Sequence, residues 1–295
     1  MSHLIAVPPT LDDRAFEALV SGAVAAAGER VLLDARHLRW ADPYGMIGLL
    51  AVGRALADGG GRPALQLPQS AEVTRYLARM GFVDAAEGIF DLHDAPRSSA
   101  RSGDGSPVLL EITPIQSNDD VHRVVDVLPE RASTILSEKL GYGRAAGGQF
   151  SIMLSEVCQN ITEHADAPGW VGIQSYRRTL KANRPAVVIA VMDLGIGFRG
   201  SLAREHSARF GDRWGDPTAL EAAFLHGVTR FRDPGRGQGL KNIRKSVGKW
   251  GGKIAIRSGT ARIADVPEWD DAPPMESGLA AFPGSQILII LPGIA

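Results

Sequence analysis

The stretch "DAPRSSARSGDGSP", residues 94–107, sets the strongest bound on how this chain folds. It is rich in Ser, Gly, Pro and Arg and offers almost nothing to bury, which is the composition of a linker. It divides the chain into a first unit at 1–95, a linker at 96–106 and a second unit at 107–295. A length of 295 residues, 44% of them hydrophobic, suits one large domain or two ordinary ones with ample apolar material for a core.

In the first unit strand and helix signals alternate. "HLIAV" is strand-like, and "TLDDRAFEALVSGAVAAAG" has helical spacing, with Thr10 as candidate cap and acids in its first turn. "RVLLDA" reads as a short buried strand, "YGMIGLLAVGRALADGG" as a helix ended by glycines, "PALQL" as a strand and "SAEVTRYLARMGF" as a helix capped by Ser70. This alternation predicts a small α/β domain.

The second unit opens with the strand "PVLLEITPI". "NDDVHRVVDVLPERASTILSEKLGY" reads as a helix capped by Asn118 and broken or kinked at Pro129. A further helix follows the glycine-rich "GYGRAAGG"; then come two strands, "GWVGIQSYRR" and "RPAVVIAVMD", joined by a turn at "KANRP". Residues 198–236 read as a long irregular span with one short helix around "PTALEAAFLHG". "GLKNIRKSVGKWGG" reads as a helix, and "KIAIRSG" and "SQILIILP" as strands.

Placed on a helix of about 100° per residue, Phe150, Leu154, Val157, Ile161 and Ala165 form one apolar stripe. Glu156, Asn160 and His164, at successive four-residue steps, form a row along its edge. Such a row faces the border between core and solvent, the position that lines clefts; taken alone it reads as an ordinary solvated flank with one histidine. Cys158 on the same helix reads as packing. As the single cysteine it excludes an intramolecular disulfide framework and fits a reducing compartment.

Two glycine-rich stretches add to the row. "DLGIGF" places Asp193 at a strand end beside Gly195 and Gly197, which leave room for a flat ring. A carboxylate accepts a hydrogen bond from an exocyclic amine such as N6 of adenine and repels O6 of guanine. "GRGQGL" places Gly235, Gly237 and Gly239 at the opening of a helix, whose free N–H groups favour phosphates. "GIGFRG", residues 195–200, also matches G-x-G-x-x-G. A dinucleotide fold requires a helix starting within that motif and a strand ending in an acid about 20 residues on; residues 198–220 contain no apolar strand.

Together these stretches resemble the GHKL superfamily of ATP-binding domains, which includes gyrase B subunits, MutL, bacterial histidine kinases and anti-sigma serine kinases. "SEVCQNITEHA" is similar to its N box, "DLGIGF" to its G1 box, "GRGQGLKNI" to its G2 box and "GSQILIILP" to its closing strand, with Ser285 where Thr is usual. The resemblance covers about 107–292. It implies a Bergerat-type ATP-binding fold, an α+β two-layer sandwich within the α/β class, with ATP and Mg²⁺ as cofactors. It implies further that Asn160 holds Mg²⁺ and Glu156 is the general base. Asp193 would read adenine, with Gly195 and Gly197 shaping the base pocket. Arg236, Gly237, Gly239, Leu240 and Ser285 complete the nucleotide-binding set, and residues 200–236 form a lid. His164 matches a position held by His or Tyr in the kinases. Lys241, Arg230 and Arg232 either meet phosphates or face water.

The first unit, through "RVLLDARHLRWADPYGMIGLLAVGRALADGGGRPALQL", resembles a STAS domain. Pro43 and Tyr44 stand where the family pattern has serines, so the phospho-accepting serine is missing and Tyr44 reads as a packing or contact residue.

These resemblances imply an ATP-binding regulatory protein, a nucleotide-dependent switch acting on or through a protein partner and the STAS-like unit. The alternatives are a serine/threonine protein kinase of the anti-sigma-factor type and a catalytically silent nucleotide-binding module. A histidine kinase fits poorly: His93-Asp94 is followed at once by Pro96, and His122 lacks an adjacent acid. The net charge of −1 gives no indication of nucleic acid, and a homo-oligomer is compatible with it. No basic segment followed by a long apolar run opens the sequence and no apolar stretch reaches spanning length, which implies a soluble cytoplasmic protein without membrane contact.

Overall fold

The computed structural model describes residues 2–93, 108–143, 145–165, 167–178, 183–230 and 238–294; the 96–106 linker lies outside the described residues. The chain is of the α/β class. Its first unit contains β1 (Ser2–Ala6), β2 (Thr10–Leu11), α1 (Phe16–Ala25), β3 (Arg30–Asp34), β4 (Trp40–Ala41), α2 (Pro43–Gly60), β5 (Ala64–Gln66), α3 (Ala71–Arg79), α4 (Phe82–Glu87) and β6 (Asp91–His93). The second begins with β7 (Val108–Ile115) and α5 (Asn118–Thr134), which runs into a π turn at Ile135–Lys139. It continues with α6 (Ala146–Asn160), which runs into a π turn at Ile161–Ala165, and then β8 (Gly169–Tyr176) and β9 (Ala186–Asp193). Helices α7 (Gly197–Phe210), α8 (Asp216–His226) and α9 (Gln238–Lys249) precede β10 (Lys253–Asp265) and β11 (Met275–Pro292).

β1, β3, β5 and β6 form a four-stranded parallel sheet in chain order. Right-handed crossovers then put the connecting helices on one face, and the opposite face carries the exposed Leu4. The second sheet has the order β10-β11-β9-β8-β7 and is antiparallel throughout. Its strands alternate between two cores. Val187, Ile189 and Val191 of β9 pack with α5, α6, α8 and α9. Ala186, Val188, Ala190 and Met192 pack with the first unit.

Helices α1 and α2 therefore lie between the two sheets. From Pro43 to Gly53, eleven consecutive residues of α2 are buried, as a helix enclosed on every side requires. Phe16 of α1 meets Tyr44 and Phe282 edge-on at 5.6 and 5.5 Å. The seam also holds charges. Lys253 Nζ donates to Asp13 Oδ2 and Asp270 Oδ2, both at 3.1 Å, with 1% of its side chain exposed. Tyr76 and Tyr176 share a hydrogen bond of 2.9 Å across the units.

Several local expectations change. Thr10 does not cap α1: it pairs with Trp40, and Asp12 Oδ1 makes the turn by accepting from Arg14 N at 3.1 Å and Ala15 N at 3.0 Å. Asn118 does not cap α5: Ser117 and Asp120 satisfy each other's backbone N–H groups, while Asn118 Oδ1 accepts from Thr162 Oγ1 at 2.8 Å. The helix continues through Pro129 without a break. Ser70 does cap α3, accepting from Val73 N. Residues 197–226 are not irregular but mostly helical, in α7 and α8. The 3.6-residue signal is weak in α7 because only Leu202 is buried there. β10 and β11 also run on beyond the apolar runs that announce them.

Candidate functional site

Asp193 ends β9, the strand buried on both faces, and is itself 3% exposed. Its Oδ1 accepts from Gly195 N at 2.8 Å and its Oδ2 from the Ser285 hydroxyl. Burial pushes the carboxyl above its usual range, and these hydrogen bonds oppose the shift. The turn after Asp193 lies on the end of α6. Ile196 N donates to the Ala165 carbonyl at 3.1 Å, and any side chain at Gly195 would run into that carbonyl.

Glu156 lies half-buried on α6, and its Oε2 occupies the space a methyl group at Gly239 would take. The Glu156 carboxylate thus sits on the first turn of α9. Burial and the nearby charge of Glu163 push the Glu156 carboxyl upward, which makes it a stronger proton acceptor than an exposed glutamate. Asn160, one turn further and half-buried, closes the α-helical part of α6. Among the described residues no cluster of three or more His, Cys, Asp or Glu could hold a metal. Asn160 offers a single amide oxygen, a hard donor of the kind Mg²⁺ accepts when most of its other ligands are not from the protein.

Leu240 is half-buried and packs on the helix-side core. Gly197, at φ 63°, turns the chain into α7. Arg236, Gly237, Gly235 and Arg232 lie outside the described residues, as does the side chain of His164. Arg230 is engaged with the protein, donating to the Glu163 carbonyl. Lys241 is exposed. Cys158 has no exposed surface, and burial pushes its thiol up to about 12, in keeping with packing. A helix does begin within "GIGFRG", contrary to the irregular reading, but both neighbours of β9 are antiparallel, so no parallel βαβ unit follows.

The sequence reading misses a β-bulge that supports Asp193. The β10–β11 register shifts at Ser258–Gly259 and again at Gly259–Ala261. Ser258 Oγ donates to the Gly284 carbonyl at 2.7 Å and accepts from Phe198 N at 3.1 Å. Isolated glycines inside strand patterns, here Gly259 and Gly284, are the signal that points to such a bulge.

Gly239→Ala is expected to leave stability within about 1 kcal/mol of the parent, since alanine favours the helix and the group it meets is a movable side-chain end. It should displace the Glu156 carboxylate. Thermal melting checks the first expectation, and a loss well beyond about 1 kcal/mol would show that the Glu156 side chain cannot move aside.

No protein-family model and no curated protein sequence matches the chain.

Proposed function

We propose that the chain binds Mg-ATP in the cleft between α6, the Asp193–Gly197 turn and α9, and works as a nucleotide-dependent regulatory protein of the GHKL type, the first unit being STAS-like. The supporting observation is the convergence of distant stretches: Glu156 on Gly239, Ala165 on Gly195, and Ser285 on Asp193. Asp193 accepts from the adenine amine. The first turn of α9 offers N–H groups to phosphate oxygens. Asn160 holds Mg²⁺, which neutralises phosphate charge. Glu156 takes the proton of the attacking water or hydroxyl. Among the described residues no helix is long and apolar enough to cross a membrane, and the single cysteine suits the cytoplasm.

Calorimetric titration tests the binding. The expected result is Mg-ATP binding with much weaker Mg-GTP binding, since guanine turns O6 toward the Asp193 carboxylate. Equal affinities, or none, would remove the reading. The fate of the phosphate follows from ADP release and the mass of the protein after incubation. Tyr44, 3% exposed and packed edge-on against Phe16, is sealed from an external nucleotide. This removes Tyr44 as an acceptor; transfer to water or to a separate protein partner is the expected outcome, and a mass gain by the chain would place the acceptor at another of its residues.

The raised Glu156 carboxyl gives a pH dependence. A base must be deprotonated, so turnover falls as pH drops through a pKa above the usual 4.5. Glu163→Gln removes the like charge and should move this acid limb to lower pH. An unmoved limb in the pH–rate profile would show that the Glu163 charge does not act on the group titrating there.

A further inference from the structure

Arg257 has no exposed surface, yet lies outside the cleft. Its Nε donates to Glu17 Oε1 at 2.8 Å and its Nη2 to Glu17 Oε2 at 3.2 Å, a two-point pairing with the first turn of α1. The same guanidinium donates to the carbonyls of Gly259 at 3.2 Å and Ala280 at 2.5 Å, one on each strand of the β10–β11 hairpin. It also donates to Gln286 Oε1 at 3.4 Å. Gln286, likewise without exposed surface, turns its amide N–H groups to the carbonyls of Pro283 at 2.8 Å and Asp193 at 3.5 Å. Only a planar group with five donors in a fixed fork can make this set of contacts at once.

The stretch gripped in this way is the bulge that carries Ser258, Gly284 and Ser285. Ser285 holds the Asp193 carboxylate, and Ser258 holds the start of α7. Hydrogen bonds through Arg257 and Gln286 therefore join the half-buried Glu17 of the first unit to the Asp193 carbonyl, and Ser285, the chain neighbour of Gln286, holds the Asp193 side chain.

We infer that Glu17 and Arg257 are positioning residues for Asp193, which makes the first unit a structural part of the base-reading end of the cleft. The inference rests on the ATP reading and deepens it: base selectivity is set in part by a residue of the other unit. An ion pair that only fastened the seam would affect stability and leave the preference among bases alone.

The test is competitive binding of Mg-ATP and Mg-GTP to the full chain and to its Glu17→Gln variant, with thermal melting in parallel. The expected result is a loss of about tenfold in the ATP-to-GTP affinity ratio. In the Asp193→Asn background Glu17→Gln should leave the ratio unchanged, because the contact it positions is already gone. Should Glu17→Gln fail to fold, Ser258→Ala, which deletes one hydroxyl, carries the same expectation. An unchanged ratio, or an equal loss for both nucleotides, overturns the inference while leaving the ATP reading intact. A parent protein that binds no ATP overturns both.

Discussion

Lys253→Met is expected to destabilise the protein by about 3–5 kcal/mol. Lys253 bridges Asp13 of the first unit and Asp270 of the second, with both donor–acceptor distances at 3.1 Å. Asp13 and Asp270 are 4% and 9% exposed. Methionine fills the volume but leaves two carboxylates close together in a poorly solvated seam. Removing one partner of a buried ion set costs far more than replacing the whole set. Neutralising both acids as well, in Lys253→Met/Asp13→Asn/Asp270→Asn, should therefore recover part of the loss. Equilibrium denaturation would measure both, and a loss under about 1 kcal/mol for the single variant would mean that water reaches the seam.

Asp193→Asn should lower ATP affinity by about 100-fold, the scale of a lost charge-assisted hydrogen bond, without lowering stability at neutral pH. The two effects separate because of where the charge sits. The folded-state carboxyl is raised by burial, so its contribution to stability is present at low pH and lost as pH rises through the folded pKa. An amide removes that cost. Its Oδ1 can still accept from Gly195 N, and the Ser285 hydroxyl can turn to accept from the amide N–H. Calorimetry and denaturation at pH 7 on the same variant check both halves. Retained affinity would remove Asp193 from base reading, and a large loss of stability would make it structural.

What could be read from the sequence was mostly local. Ser70 caps α3 because its partner lies three residues away. Thr10 fails as a cap because its partner strand, Trp40–Ala41, is supplied by a distant segment. The spacing of Glu156 and Asn160 along α6 was legible, whereas the approach of Glu156 to Gly239 depends on how α9 packs. α7 stayed hidden because a helix held by one buried side chain carries almost no apolar stripe. Lys253 and Arg257 alternate with Ile254 and Ile256, a period-two pattern that by itself turns the polar residues to solvent. That face is covered by the first unit, and only the fold reveals the partners that neutralise them.

The place of β11 in the sheet has a consequence for synthesis on the ribosome. β11 lies between β10 and β9 and supplies Leu288 and Ile290 to the core shared with α2, yet it follows α2 by more than 200 residues. At about 5–20 residues per second, the newly made α2 waits tens of seconds for the layer that covers it. Over that interval the nascent chain presents an apolar helix face, and its yield in a cell should depend on chaperone capacity more than its final stability suggests.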